Sequence, residues 1–536
     1  MQVTTLRAAL AAGPAAPALP NRPVRAAWTA LTARPAATAV LVPASAMLLL
    51  GLWGLDRDSM WRDEGVTHQV ATRSLPEILR LLGSVDAVHG LYYVLMHAVL
   101  SVHPGEVALR LPSVLAATAA AGLVAALGVR LARPRVGLWA GLLYAATPVT
   151  GYYAQEGRSY ALVAAGATGA TLLLVRAVRH ARVQDWCLYG ATVTCTVLLH
   201  ELAVLLVVAH AATLLLSWRR IDRRAWRGWA VAVCAALTAL VPLVRLSMGQ
   251  SGQVAWLETP GAGRAEALLK AFAGPTELVL TAALLLACVA LNSPLERTGR
   301  LSLNAVALPL AVLPPAVLFT VSQNTPLYAD RYVFFALAGA PLLAAAGAER
   351  IAGTVHRMRS RPRRRAVGAL FGAAVVAVAF CWQLPLHRSD RTTAQRPDDP
   401  AAVAGLVDRE LGHGDPVLFL PSIGRRTALA YPEEFRGVKD VALARTGAAS
   451  GTLYGEEVGA GELRRRLAGL DHVWLLAEPY AVRDAWNPAT AAERTKFTVV
   501  SEEFLLRDEF PTRSGVLRHY VRRPQDQPVG WPQPGK

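Results

Sequence analysis

Charge is scarce in this 536-residue sequence: 17% of residues are Asp, Glu, Lys or Arg, against 53% hydrophobic, and mean hydropathy is +0.33. A soluble domain carries about 25% charged residues, so the deficit excludes an ordinary soluble enzyme and points to a membrane protein. Lysine is nearly absent, with Lys270, Lys439, Lys496 and Lys536 the only lysines among 55 basic residues. The rest are arginines, and in a multi-span chain a net charge of +17 reads first as topology, with no call for nucleic acid. The five cysteines, Cys187, Cys195, Cys234, Cys288 and Cys381, lie within apolar runs without metal or redox spacing and read as small core residues. Residues 1–35 lack an early apolar core and are rich in Ala, Pro and Arg, which reads as a disordered cytoplasmic tail and not as a secretory signal.

What is present is a series of long apolar runs. A span needs about 20 apolar residues, and about eleven candidates follow one another between residues 36 and 386. The run Leu91 to Val102 is too short to cross, at about 18 Å of helix, and is expected to lie flat on the outer surface. With the amino terminus inside, the inner segments collect Arg130, Arg133 and Arg135, then Arg176, Arg179 and Arg182, the run Arg219 to Arg227, and the cluster Arg350 to Arg365. That placement satisfies the positive-inside rule and puts residues 387–536 outside. The tail is charged, with short apolar strands at Pro416–Leu420 and His472–Ala477 and helical stretches near 401–411 and 462–470. The expected fold is therefore a polytopic α-helical membrane protein, 36–386, carrying a C-terminal extracytoplasmic α/β domain, 387–536.

Ionisable residues with chemical potential gather on the outer face. The first outer loop carries Trp61-Arg62-Asp63-Glu64, two adjacent carboxylates that are costly beside lipid unless they bind a cation or do acid/base work. Farther along stand Asp86, His89, Tyr92 and Tyr93; the second outer loop holds Gln155-Glu156-Gly157-Arg158-Ser159-Tyr160; the third turn is His200-Glu201. Arg245 and Tyr328-Ala329-Asp330-Arg331-Tyr332 lie at outer span ends, where a guanidinium fork suits a phosphate and snorkelling to headgroups is the alternative. The segment Met248 to Lys270, with Trp256 and Glu258, is a candidate lid.

In order and register these strings resemble the GT-C superfamily of polyprenyl-phosphate-sugar glycosyltransferases, particularly the family 39 branch with the protein O-mannosyltransferases and the aminoarabinose transferase of lipid A. The marks are Asp63-Glu64, Asp86-Ala87-Val88-His89-Gly90-Leu91-Tyr92-Tyr93 beside a D-x-H-P-P-L-Y-Y pattern, Ala108-Leu109-Arg110-Leu111-Pro112-Ser113, and Gln155 to Tyr160 beside Q-E-A-R-P-Y. Gly90, Gly157 and Ser159 depart from the pattern, which bears on loop rigidity more than on the ionisable groups. The resemblance implies transfer, with inversion, from a lipid-linked monophosphate sugar, mannose favoured and a pentose second, to an envelope glycan, lipid or protein acceptor in a bacterial plasma membrane. It implies Asp63 as base, Glu64 orienting the acceptor or a cation, Glu156 on acceptor or metal, and Arg158, Arg331 and Arg245 on the phosphate. Asp86, His89, Tyr92 and His200 would line the pocket, and the prenyl chain would need an apolar groove between spans. A divalent cation, Mg or Mn, could share Asp63, Glu64 and Glu156, since hard ions favour carboxylate and phosphate oxygens. The rival classes are a transporter, which should carry charges along a path through the bilayer, and a non-catalytic envelope scaffold.

Overall fold

The structure, a computed structural model, describes residues 34–56, 59–295, 299–356, 361–392, 395–483 and 486–524. The expected tail, residues 1–35, lies almost wholly outside them. The membrane part runs α1 Pro35–Leu52, α2 Arg62–Ala71, α3 Leu75–Leu82, α4 Gly90–Leu100, α5 Glu106–Leu131, α6 Pro134–Ala146, α7 Pro148–Ala154, α8 Tyr160–His180, α9 Val183–Leu199 and α10 Leu205–Leu216. It continues with α11 Arg223–Met248, α12 Ala262–Ala273, α13 Glu277–Asn292, α14 Leu303–Val321, α15 Gly339–His356 and α16 Arg361–Ser389.

All the apolar candidates are helical, but among the described residues only seven helices are long and apolar enough to cross a membrane, or eight if the α12–α13 pair, bent by 77°, counts as one. Physical breaks account for the difference from eleven. Pro148 cannot donate to the preceding turn, so α6 stops at Thr147 and α7 restarts with proline at its first position. His200 has extended backbone angles that end α9, and α10 is only 12 residues long. The short helix α4 spans 11 residues, as the length of its apolar run requires.

Small residues bring the first spans close. A Cβ on Gly128 would stand 2.6 Å from Gly137, so α5 and α6 meet backbone to backbone, the packing that replaces the hydrophobic effect inside a bilayer. The five cysteines were expected in the core; each is instead exposed on the outside of its helix. Arginine-rich helix ends gather at the end of the bundle opposite the C-terminal layer, where Arg133 and Arg135 both pair with Glu349, and Arg176 with Asp185.

After α16 come α17 Pro400–Glu410, β1 Pro416–Leu420, α18 Arg426–Ala430, β2 Lys439–Asp440, β3 Leu443–Arg445, α19 Gly447–Ser450, β4 Glu456–Glu457, α20 Ala460–Ala468, β5 His472–Ala477, α21 Ala491–Glu503, β6 Phe504–Pro511 and β7 Val516–Arg522. Five strands form one sheet in the order β2-β1-β5-β7-β6, parallel through β1 and antiparallel from β5 to β6. Leu418, Leu420, Val473 and Leu475 face α20 and α21, while Val417, Phe419, Trp474 and Leu476 face α17. Burial on both faces is why β1 and β5 read as continuous apolar runs. A third core joins this layer to the bundle: Met60, Val70, Ile78, Tyr92 and Met96 pack with Ala430, and Tyr431 and Leu453 lie against them.

Candidate active site

The site is built on the first turn of α2, where Asp63 and Glu64 face the unpaired amides of the helix amino terminus, a favourable place for carboxylates. Their fates differ. Glu64 is fully buried in a two-pronged pair with Arg110 of α5, Nε to Oε1 at 2.9 Å and Nη2 to Oε2 at 2.8 Å, and the Gly157 amide donates to Oε1 at 2.7 Å. Burial would raise the Glu64 carboxyl, but Arg110, with help from Arg396 and the Gly157 amide, holds it below the usual carboxylate range. Arg110 also donates to the Leu55 and Ser59 carbonyls, so one guanidinium ties α5 to the loop before α2. Three of the about four acceptor positions of the Glu64 carboxylate are thus used within the protein, which gives Glu64 first a structural part in holding this loop.

The remaining strings interlock with this pair. Ser113 Oγ donates to the Glu156 carbonyl at 2.6 Å, and Gln155 Nε2 donates to the Gly51 and Trp53 carbonyls. At Gly157 a Cβ would stand 2.6 Å from Leu109 and 3.3 Å from Glu64 Oε1. Glycine there permits the close approach that its amide makes to Glu64.

Asp63 is half-buried, and its carboxylate makes no hydrogen bond or ion pair among the described residues. Its backbone carbonyl accepts from Thr67 Oγ1 at 3.0 Å and from Arg158 Nη1 at 3.4 Å. Arg158 Nη2 donates to His89 Nε2 at 2.7 Å, which places the imidazole proton on Nδ1, and Arg158 Nε is buried without a partner. Burial, reinforced by Arg158, His200 and Arg331, holds His89 well below the ordinary histidine value, so it is neutral. Burial likewise pushes His200 down to about 3.

From His89 an aromatic wall continues to His200, 6.4 Å away, then to Tyr332 at 4.8 Å and Tyr160 at 6.0 Å. Arg331 lies 5.6 Å over both Tyr332 and Trp256, and its Nε is buried without a partner. Tyr92 is fully buried with its hydroxyl unpartnered, and Asp86 accepts from the Tyr93 hydroxyl at 2.7 Å. The candidate lid is tethered here: Gln250 and Gln253 accept from the Ala87 and Asp86 amides at 2.9 and 3.2 Å. The structure thus brings Asp63, Asp86, His89, Tyr92, Glu156, Arg158, His200 and Arg331 together. It leaves Arg245 out, exposed on α11.

Two members were not singled out in the sequence. Arg110 lay inside a quoted motif but had no assigned partner. Arg396, in the link to the C-terminal layer, donates to the Gln155 carbonyl at 3.3 Å and lies 5.5 Å over Tyr152. The Asp63, Glu64 and Glu156 set does not fit a divalent cation, because Arg110 already neutralises Glu64; among the described residues no group of three His, Cys, Asp or Glu is placed to hold a metal.

Glu156 is buried with Oε2 unpartnered, and burial, added to the Glu64 charge and offset by Arg396, pushes its carboxyl up to about 8. It is therefore uncharged at neutral pH. Its contribution to stability is complete below the unfolded glutamate value of 4.5 and is lost as pH rises through about 8. Thermal unfolding in lipid nanodiscs should show the melting temperature falling from pH 5 to pH 9, and Glu156→Gln should flatten that fall; an equal fall in both proteins contradicts the assignment.

Residues 90–244 match the family model described as dolichyl-phosphate-mannose-protein mannosyltransferase. No curated protein matches the chain in sequence. Among solved structures, ArnT from Cupriavidus metallidurans bound to undecaprenyl phosphate superposes with a TM-score of 0.57 at 13% identity, over 91% of this chain and 99% of that one. Apo ArnT gives 0.56 at 12% identity over the same shares. The chain is thus a multi-pass membrane protein with the GT-C fold, and its motifs resemble those of the same superfamily.

Proposed function

We propose that the protein is an inverting glycosyltransferase that moves a sugar, mannose first, from a polyprenyl phosphate to a hydroxyl of an envelope glycan, lipid or protein. The observation that carries the reading is the partnerless Asp63 carboxylate near the guanidinium groups of buried Arg158 and half-buried Arg331, each with an unpartnered Nε. Asp63 takes the proton of the acceptor hydroxyl as its oxygen bonds to the anomeric carbon. The bond from that carbon to the phosphate oxygen breaks, its electron pair leaves with the polyprenyl phosphate, and the arginines stabilise the departing charge. Fixed cations aimed at a developing phosphate charge need no reorganisation during the reaction.

The lipid chain has a matching place. A groove of about 470 Å³ between α6, α12, α13, α15 and α16 is lined almost wholly by apolar residues such as Leu143, Phe272, Leu286 and Val378. Its lining residue Thr147 leads directly into α7, about 10 Å of helix long, which ends at Gln155-Glu156. By the positive-inside rule the arginine-rich end of the bundle faces the cytoplasm, which puts the site and the C-terminal layer on the extracytoplasmic side of a bacterial plasma membrane. A transporter would place charge along a path through the bilayer; the buried acids Asp185 and Glu349 are instead paired at the arginine-rich end. The similarity to ArnT, which was crystallised with undecaprenyl phosphate, supports this donor class.

Binding of undecaprenyl phosphate to the full chain in nanodiscs tests the reading. Wild type should bind, and Arg331→Met should bind about ten to a hundredfold more weakly, the worth of a charge-assisted contact. No binding by wild type, or equal binding by the variant, contradicts the assignment of the phosphate site.

A further inference from the structure

The sheet of the C-terminal layer reverses its strand order between β1 and β5. From β1 the chain runs through α18 to β2 on one side, and it returns through α20 to β5 on the other. The two helices pack on opposite faces, Ala428 of α18 with Val417 and Phe419, and Leu463 and Leu467 of α20 with Leu418 and Leu475. In open sheets with parallel strands, such a reversal opens a crevice at the carboxyl ends of the strands, because the loops leaving it part to opposite sides. A cavity of about 280 Å³ lies at this end of the sheet. Leu420, the last residue of β1, and Leu475 of β5 line it on the sheet side, and Val500 of α21 on the helix side. The loop after β5 contributes Arg483 and Trp486; residues 484–485 between them lie outside the described residues.

Two large rings and three cations line the cavity, with no Asp or Glu among its described lining. Trp486 and Phe497 stand 6.4 Å apart at 64°, so their rings form an apolar corner. Two of the cations are already neutralised. Lys496 is fully buried, with Nζ on the Phe419 carbonyl at 2.8 Å and on Glu457; Glu457 also takes Arg425, which pairs with Asp440, so two cations and two acids cancel. Arg518 pairs with Glu509 at 2.6 Å. The acid one turn before Lys496, Glu493, is held by the Ala489 and Thr490 amides and does not line the cavity. Arg483 is exposed, and its guanidinium pairs with nothing among the described residues.

The volume is near the lower end of the about 300–1,000 Å³ of small-molecule sites, room for about one ring. An apolar corner with one uncommitted guanidinium fits a pyranose that carries a carboxylate, its C–H face on Trp486 and its carboxylate on Arg483. A neutral sugar would leave Arg483 without a counter-charge, and a small acid without a ring would leave the aromatic corner empty.

We propose that this cavity binds an acidic sugar residue of an extracytoplasmic glycan. The site is separate from the candidate active site: none of its lining residues belongs there, and it lies on the opposite face of the sheet from α18, which packs against α2. Binding requires no turnover, so the proposal stands or falls apart from the reading of Asp63 as base.

The test is calorimetric titration of the full chain in nanodiscs, without donor, using galacturonic acid, its trimer, a neutral galactose trimer and N-acetylaspartate. Wild type should bind the galacturonate trimer at least about tenfold more tightly than the neutral trimer or N-acetylaspartate, the worth of one charge-assisted hydrogen bond. Arg483→Gln removes an exposed charge and strands no partner; it should weaken galacturonate binding about tenfold and leave the neutral trimer unchanged. Trp486→Ala should weaken both trimers together. No galacturonate binding by wild type, equal affinity for the neutral trimer or N-acetylaspartate, or wild-type affinity in Arg483→Gln overturns the proposal. Binding of galacturonic acid without its trimer overturns the glycan source. Undecaprenyl phosphate binding should be the same in wild type and both variants, and its absence in all three counts against the donor reading alone.

Discussion

Asp63→Asn should lower sugar transfer from a polyprenyl-phosphate donor by about 10²- to 10⁴-fold, the usual contribution of a positioned general base. The substitution is nearly isosteric and removes only the ability to accept the acceptor proton. The Asp63 carboxylate pairs with nothing among the described residues, so the change breaks no hydrogen bond within the protein. Its one structural cost is a weaker charge at the amino terminus of α2, worth about 0.3–1 kcal/mol. Undecaprenyl phosphate binding should therefore persist, and the loss should fall on kcat. A variant that keeps full turnover would assign the proton transfer elsewhere.

The neighbouring carboxylate should behave in the opposite way. Arg110→Met leaves Glu64 buried with its charge opposed only by the Gly157 amide and the more distant Arg396, and Glu64→Ala leaves the buried Arg110 charge without its carboxylate, though still donating to the Leu55 and Ser59 carbonyls. Removing one partner of a buried pair costs about 3–5 kcal/mol, which is a large share of the about 5–15 kcal/mol that holds a protein folded. Both single variants should lose monodisperse protein and thermal stability. The double variant Glu64→Gln with Arg110→Met should recover part of the loss, because no uncompensated charge remains. Measured by thermal unfolding in nanodiscs, additive losses in the double variant would contradict the pairing. Two adjacent acids thus separate into one that holds the loop and one that is free to react.

Which of Asp63 and Glu64 is free could not be read from their adjacency. The deciding partner, Arg110, is 46 residues away, and its place became visible only when α5 was packed beside α2. The same holds for Arg396, which enters from the link to a layer that is remote in sequence and carries no catalytic motif. By contrast, Asp63, His89, Glu156 and Arg158 were legible because their strings keep ionisable residues at the ends of apolar runs. The outer-end arginines divided for a geometric reason: Arg331 turns inward over Tyr332 and Trp256, while Arg245 sits on the exposed face of α11.

The fold was legible where hydropathy is continuous and misread where it is broken. Composition alone does not register that Pro148 ends a helix, or that the chain bends by 77° between Ala273 and Glu277, so apolar runs outnumber the helices that can cross. In the C-terminal layer the double-faced burial of Pro416–Leu420 and His472–Ala477 gave strands a clear signal. The antiparallel partners β6 and β7 mix charged and apolar residues, because β6 is an edge strand with an exposed middle, and they were not singled out.

The most direct measurement is sugar transfer and sugar release by the full chain in lipid nanodiscs, across a panel of polyprenyl-monophosphate sugars with membrane extract as acceptor, for wild type and Asp63→Asn. The account predicts turnover of one donor by wild type and its loss in the variant, with undecaprenyl phosphate still bound by both. Turnover of no donor by wild type, or undiminished turnover by Asp63→Asn, would contradict it.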